Sequence, residues 1–347
     1  MRKVITSRDI EALQTTGGDL ASLPVDALYT PSAKDALNAL GITPAGKTSV
    51  GASPSSEPAQ PPAERQVTNI ESFFNSPEIN LLKEKICDIG RRLWERDYVD
   101  GNGGNISIRV ARDLVLCTPT MVSKGFLKPS DMCFVDLEGN QKAGTRKRTS
   151  EILMHLEMMK AQPKAISCVH AHPPHATAFA VARIQPPTCM IPEMEILVGE
   201  APVANYSTPG SKEMGQSVAA LVQDHNTILM ANHGVVTWGT GVEDAYWKME
   251  IVDAYCRTIV FATQLGTELK TISKDKVRDL LNIKKGMGIP DRRYNLKECE
   301  LCDNSEWHPG VVCGIPPQKN DETSPTDIQA EELVKTITQM VMNKLKG

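Results

Sequence analysis

The chain has 347 residues, of which 41% are apolar and 23% charged, and its formal net charge is -4. That length accommodates one large or two modest domains; there is no basic excess for nucleic acid and no run of about 18 apolar residues for a membrane span. The first residues lack the apolar stretch of a secretory signal, and nine scattered cysteines suit a reducing, cytoplasmic setting better than a disulfide framework.

Residues 1–42 carry two short amphipathic helical patterns, with Ser7 and Ser32 read as N-caps and Gly41 as a stop. Two such helices cannot bury a core of their own, so this piece is either a docking element or a helix pair laid on the main domain. Residues 43–66 turn to Pro, Ala, Ser and Gly and read as a flexible linker. A helix is expected over 75–96, with Ser76 and Pro77 at its start and Ile79, Leu82, Ile86, Ile89 and Leu93 at helical spacing. It leads into Gly101-Asn-Gly-Gly-Asn-Ile-Ser. This is no dinucleotide fingerprint, since the glycine spacing differs and a strand follows, but its N–H groups can form an anion nest with Asn105 as a side-chain donor.

Strands are expected at 114–117 and 132–136, framing Thr118-Pro-Thr-Met-Val-Ser-Lys-Gly. Thr149 and Ser150 open a helix, where unpaired N–H groups and the macrodipole favour an anion. Glu151 follows, and His155, one turn on the same face, reads as packing rather than as a ligand. The apolar run 165–169 reads as a strand, whose period of two sends His170 and His172 to one side. His233, in Asn-His-Gly after another apolar run, is available as a third ligand. Three histidines and a carboxylate, for which Glu151 is the candidate, make a catalytic zinc-type site whose weak fourth ligand can yield to substrate.

The direction of His175, beyond Pro173 and Pro174, is not fixed by the pattern. Residues 193–206 alternate enough for further strands, and 240–265 read as a helix with Val242, Ala245, Met249, Val252, Ala254 and Ile259 on its apolar positions. Cys299, Cys302, His308 and Cys313 have a spacing near that of a small structural zinc knuckle; ordinary thiols are the other reading. Residues 323–347 form a last amphipathic pattern, with Thr326 and Gln329 as a capping box.

From Gly101 to Gly266 the ordered motifs Gly-Asn-Gly-Gly-Asn-Ile-Ser, Thr-Pro-Thr, Thr-Ser-Glu, Val-His-Ala-His, Asn-Tyr-Ser-Thr-Pro-Gly and Asn-His-Gly-Val resemble the class II sugar-phosphate aldolase and L-ribulose-5-phosphate 4-epimerase family. The resemblance covers about half the chain. It implies an α/β fold, a three-layer α/β/α sandwich around a mainly antiparallel sheet over residues 67–272, with a C-terminal extension at 273–322 and assembly as a homotetramer. It implies Zn2+ or another divalent metal at His170, His172, His233 and Glu151. Substrate phosphate would lie on Asn102, Gly104, Asn105 and Thr120 beside Thr149 and Ser150, with Glu151 and Tyr206 as proton carriers, Tyr206 acting across a subunit boundary.

Relatives usually carry Gly where this chain has Met121, a departure beside the phosphate pocket; Ser123 and Lys124 can offset it, although a lysine there reads more simply as surface. Glu rather than Asp at 151, within Ser-Glu-x-x-x-His, resembles the aldolases, closest to L-fuculose-phosphate aldolase-like enzymes associated with bacterial microcompartments. The implied activity is that of a zinc-dependent aldehyde-lyase. It would cleave L-fuculose 1-phosphate or L-rhamnulose 1-phosphate to dihydroxyacetone phosphate and L-lactaldehyde. A pentulose-5-phosphate 4-epimerase and a non-catalytic interaction protein on the same fold are the alternatives. The last helix is similar to encapsulation peptides, which implies a microcompartment shell as partner and its interior as location; packing between subunits is the other reading.

Overall fold

The computed structural model describes residues 4–15, 20, 23, 27–30, 33, 37, 62, 64–304 and 307. Residues 1–60 and 61–347 form separate units. In the first, β1 (Val4–Ile5) pairs in parallel with β2 (Leu28–Tyr29), and α1 (Ser7–Thr15) lies between them in sequence. Thr6, not Ser7, precedes the helix, and its N and Oγ1 both donate to Asp9 Oδ2 in the first turn, at 2.8 and 2.7 Å. Contrary to the expectation of a coreless helix pair, Ile5, Ile10, Leu20, Leu23, Ala33 and Leu37 bury one another. Ser32, Gly41 and nearly all of the expected linker lie outside the described residues. At its end, Arg65 pairs with Glu78 at 2.7 Å.

In the second unit, α2 (Ile70–Phe74) precedes α3 (Pro77–Glu95), whose Ser76 cap and leading proline are those expected. The strands that follow are β3 (Asn105–Ala111), β4 (Leu114–Cys117), β5 (Cys133–Val135), β6 (Gln141–Ala143), β7 (Ser167–Ala171), β8 (Val203–Ala204), β9 (Thr227–Met230) and β10 (Gly234–Gly239). They form one sheet in the order β6-β5-β4-β3-β7-β10-β9-β8, antiparallel except for the β8–β9 pair. The helices between and after them are α4 (Ile152–Ala161), α5 (Pro174–Ala182), α6 (Lys212–Ala219), α7 (Val242–Gln264) and α8 (Lys274–Gly286).

Strand alternation sorts the core into two layers. Leu114, Leu116, Val169 and Val235 pack with the apolar faces of α3, α5 and α7, while Val115, Cys117, Cys168 and Val236 pack with α4 and α6. The result is the expected three-layer α/β/α sandwich on a mainly antiparallel sheet. On α7, Val242, Ala245, Met249, Val252 and Ile259 are buried as read, but Ala254 is exposed and Tyr246, Tyr255 and Cys256 take the inner face. Among the described residues no helix is long and apolar enough to cross a membrane.

Two further expectations fail. Residues 193–206 are mostly not strand: Met194–Val198 is a π-helical turn, and only Val203–Ala204 joins the sheet. The cause is remote, because Glu195 is buried against Arg293 at 2.7 Å, and Arg293 in turn holds Asp291, which also accepts from Lys284. Likewise the thiols are not all reduced, since Cys189 pairs with Cys302 across 113 residues. This disulfide sits in a small apolar cluster with Val277, Leu281 and Leu301, and packs the segment after 273 against the rest of the unit.

Candidate active site

The site forms where β7 runs out. His170 lies inside the strand, fully buried, and His172 follows just past its end, where its N–H donates to Tyr98 O at 2.8 Å before Pro173 prevents further pairing. His233 sits in the turn between β9 and β10, which Asn232 makes with a left-handed φ of 55°. Register brings these parts together: β3 and β7 pair Asn105 with His170, and β10 pairs Val236 with the same histidine. At Gly104, φ is 70° and a Cβ would lie 2.8 Å from His170 O, so only glycine lets the loop turn this close to the strand.

The three imidazoles converge. Among the described residues, His170, His172 and His233 each offer a ring nitrogen within 4.8 Å of the others, and the Nε2 atoms of His170 and His172 are 3.2 Å apart. Glu151 stands at the N-cap position of α4 rather than inside the helix. Its Oε2 lies 3.4 Å from His170 Nε2, and its Oε1 lies 3.4 Å from His233 Nε2.

The donor chemistry fits a divalent cation. His170 Nδ1 lies 2.9 Å from Val235 O, which accepts its N–H and so leaves Nε2 with a free lone pair toward its neighbours. Burial, then the adjacent His172 and His233, hold the His170 ring well below the usual imidazole pKa; burial also lowers that of His233, against the pull of Glu151. Neutral rings with lone pairs aimed at one point repel unless a cation lies between them, and nitrogen donors with one carboxylate suit zinc and its neighbours.

Asn102, Gly104, Asn105, Thr120, Thr149 and Ser150, the six residues expected around phosphate, all line one cavity of about 170 Å³, together with Glu151, His172 and His233. Lys124 lines it too, and it is not a surface residue: it is 1% exposed. Met121 does sit beside the loop, where Asn102 Nδ2 approaches its sulfur at 3.2 Å, and its φ of 58° is one that a glycine adopts without strain. A larger cavity of about 590 Å³ lies at Pro186, Arg292 and Trp307. It holds none of the histidines, and its guanidinium, Arg292, is already taken by Glu200 at 2.6 and 2.9 Å.

Other expected residues stand apart. Tyr206 is 54% exposed and does not line the smaller cavity. His155 is buried against Ser107 Oγ at 2.8 Å, and burial lowers its pKa to about 3, so it packs as a neutral ring. His175 faces Asp253, whose Oδ1 accepts from the first N–H groups of α5 and whose Oδ2 lies 3.0 Å from Nδ1. The zinc knuckle does not form as read, because Cys302 is committed to Cys189 and Cys299 is an exposed free thiol; His308 and Cys313 lie outside the described residues.

Residues 84–260 match the class II aldolase and adducin N-terminal domain family. An L-fuculose phosphate aldolase from Methanococcus maripaludis is 36% identical over 182 residues, which are 52% of this chain and 96% of that protein. A 3-oxo-tetronate 4-phosphate decarboxylase from Haemophilus influenzae is 32% identical over 204 residues, 58% of this chain and 96% of its own. Among solved structures, YgbL from Klebsiella pneumoniae superposes with a TM-score of 0.53 at 30% identity, covering 58% of this chain and 97% of that one. A crystallised L-fuculose 1-phosphate aldolase gives 0.55 at 26% identity, covering 61% and 97%. The chain therefore belongs to the class II aldolase and adducin N-terminal domain family, and its sheet and helices carry the class II aldolase fold.

Proposed function

We propose that this enzyme cleaves the C3–C4 bond of a deoxyketohexose 1-phosphate, L-fuculose 1-phosphate or L-rhamnulose 1-phosphate, to dihydroxyacetone phosphate and L-lactaldehyde. The observation that carries the reading is the convergence of His170, His172, His233 and Glu151, of which His172, His233 and Glu151 line the same cavity as the glycine-rich loop and the start of α4. A divalent cation, zinc for preference, held by the three imidazoles would polarise the ketone and stabilise the charge that develops on its oxygen as the bond breaks.

The chain's own groups do the rest. The loop at 102–105 and the turn at Thr149 and Ser150, through hydroxyls, side-chain amides and those N–H groups not already bonded as Gly103 N is to Asp100 O and Thr149 N is to Thr118 O, bind the phosphate and fix C3 and C4 relative to the carboxylate. Glu151, held by Asn105 at 2.6 Å, carries the proton to and from C3. Tyr206, exposed in the single chain, would reach the C4 oxygen from a neighbouring subunit of a homotetramer. In the cleavage direction the C4 hydroxyl loses its proton and becomes the aldehyde, the C3–C4 electrons move toward C2 and its oxygen, and C3 gains a proton.

A second reading draws on the likeness to the 3-oxo-tetronate 4-phosphate decarboxylase. Loss of CO2 from a phosphorylated β-keto acid leaves the same kind of electron pair beside a polarised ketone, so the same site serves. Pentulose epimerisation and a purely binding role are the remaining alternatives. Metal analysis of the purified protein, followed by assays for dihydroxyacetone phosphate from each ketose 1-phosphate, for CO2 from 3-oxo-tetronate 4-phosphate and for pentulose 5-phosphate interconversion, decides among them. Stoichiometric metal without dihydroxyacetone phosphate from any ketose 1-phosphate ends the aldolase reading.

The pattern at 323–347 lies outside the described residues. As part of the same proposal it docks the enzyme to a microcompartment shell. Deleting 326–347 then leaves turnover intact and releases the enzyme from the shell fraction; loss of the tetramer instead assigns the helix to subunit packing.

A further inference from the structure

Lys124 is a buried cation that the reaction above leaves without a task. It opens the short 3-10 turn Lys124–Phe126, which packs on α3 at Gly90; a Cβ there would lie 2.5 Å from Lys124 O, so the contact fixes the lysine backbone firmly. Its Nζ donates to two carbonyl oxygens, Asn102 O at 2.9 Å and Val122 O at 2.7 Å. It thus ties the glycine-rich loop to the loop at 121–124 and faces the cavity that both enclose.

Two features of this ammonium are unusual. A buried lysine is ordinarily matched by a carboxylate, because an uncompensated charge away from water is costly. Among the described residues Lys124 forms no ion pair; the carboxylate whose field reaches it is Glu151, which lines the same cavity. An ammonium also has three donors, and the carbonyls take two of them. What remains is one N–H and one uncancelled positive charge at the wall of a cavity otherwise lined by N–H groups, hydroxyls and amides, in which the imidazoles and Glu151 are the other ionisable groups.

We infer that Lys124 contacts the phosphate of the substrate and sets the requirement for a phosphorylated rather than a free sugar. The inference rests on the proposed phosphate site, but not on which carbon–carbon bond is broken. The dianion supplies the counter-charge that the folded chain lacks, takes the third N–H, and finds its loops already tied together by the other two. Lys124 also accounts for how this chain tolerates Met121 in place of a glycine, since a charge-assisted contact from the same loop replaces part of the backbone approach.

The test uses the full-length metal-loaded protein and inorganic phosphate as the probe, with calorimetric titration of the wild type, Lys124→Met and Lys124→Arg. Lys124→Met should bind phosphate at least about tenfold more weakly and raise KM for the ketose 1-phosphate by a similar factor, with a smaller change in kcat and unchanged metal content. Lys124→Arg should recover part of both. A merely structural lysine predicts the opposite split: a lower melting temperature without phosphate and an unaltered phosphate affinity in whatever protein remains folded. Equal affinity in wild type and Lys124→Met, or no saturable phosphate binding by the wild type, overturns the inference. If Lys124→Met proves insoluble, Lys124→Gln takes its place: folded protein that binds phosphate at least about tenfold more weakly supports the charge, and folded protein with wild-type affinity rejects it. Lys124-dependent phosphate binding without sugar-phosphate cleavage sinks the proposed reaction and leaves this inference standing.

Discussion

Asn105 Nδ2 donates to Glu151 Oε2 across 2.6 Å, so the residue that ends the glycine-rich loop also fixes the carboxylate beside His170 and His233. Asn105 itself is fixed by register opposite His170 on the neighbouring strand. Phosphate loop, acid and imidazoles are therefore one rigid piece rather than three independent loops. Replacing Glu151 by Gln keeps an oxygen to accept from Asn105 and removes the proton carrier. Turnover should fall by about 10²–10⁴, with near-normal circular dichroism and metal still bound in part. Wild-type kinetics for Glu151→Gln, measured alongside metal content, takes Glu151 out of the mechanism.

The imidazole cluster makes a separate prediction. Chelation should abolish turnover and lower the melting temperature, and a divalent cation added back should restore both, since a ligand of the folded state alone adds stability by mass action. His170→Ala should fold, because β7 is paired on both sides, yet it should hold little metal and remain inactive when metal is supplied. Full activity after exhaustive chelation, checked by elemental analysis, contradicts the metal site.

What the sequence made legible follows from how local the cause is. The helix at Pro77–Glu95 announces itself through Ser76, Pro77 and its apolar spacing, β4 through an unbroken apolar run, and β7 through the mainly apolar run at 165–169. The histidine pair follows from the period of two, and the cavity wall from a glycine loop and a helix start. The failures have distant causes. The π-helical turn at Met194–Val198 is set by the partner of Glu195, which lies 98 residues along the chain. The mate of Cys302 is 113 residues back, and no spacing rule selects Cys189 over Cys299. Lys124 looked like surface because lysine usually is; its burial follows from the packing of the Lys124–Phe126 turn on α3, which no local pattern encodes.

Met121 offers a test of backbone strain at the pocket. Its φ of 58° places a Cβ where L residues meet the following carbonyl, a cost of roughly 1–2 kcal/mol that glycine avoids, against about 0.5–1 kcal/mol of extra chain entropy for glycine. Met121→Gly should therefore be neutral to stabilising by up to about 1.5 kcal/mol, read from urea midpoints at constant m. Met121→Ile, β-branched at the same φ, should be clearly less stable than wild type. A loss of stability for glycine matching that for isoleucine would mean that the sulfur contact with Asn102, not the backbone, decides this position.

The Cys189–Cys302 bond closes a loop of 113 residues around much of the second unit. Chain-entropy reasoning puts the ceiling for such a crosslink near 4–5 kcal/mol. Cys302→Ser should therefore lower the unfolding midpoint substantially, and reductant should lower that of the wild type but not that of the variant. Alkylation and peptide mapping without reductant should leave Cys189 and Cys302 unlabelled while the exposed Cys299 reacts. Labelling of Cys302 in the untreated protein removes the crosslink from the account of stability.

The last prediction concerns pH. Burial pushes the Lys124 ammonium down to about 8, even though Glu151 pulls the other way. The folded-state value lies below the ordinary lysine value of 10.5, so protonation of this group opposes folding. Its contribution to stability is least favourable below about pH 8 and improves as pH rises from there toward the unfolded value. Anion binding has the reverse dependence, because the neutral amine gives the ligand no charge. Sulfate, a dianion across the whole range, separates the lysine from the phosphate's own titration. Its affinity for the wild type should hold steady from about pH 7 to 8 and then weaken by at most about tenfold per unit. Lys124→Met should bind weakly throughout, with no such break. A wild-type affinity that is flat from about pH 7 to 10 would mean that the ammonium does not face the anion.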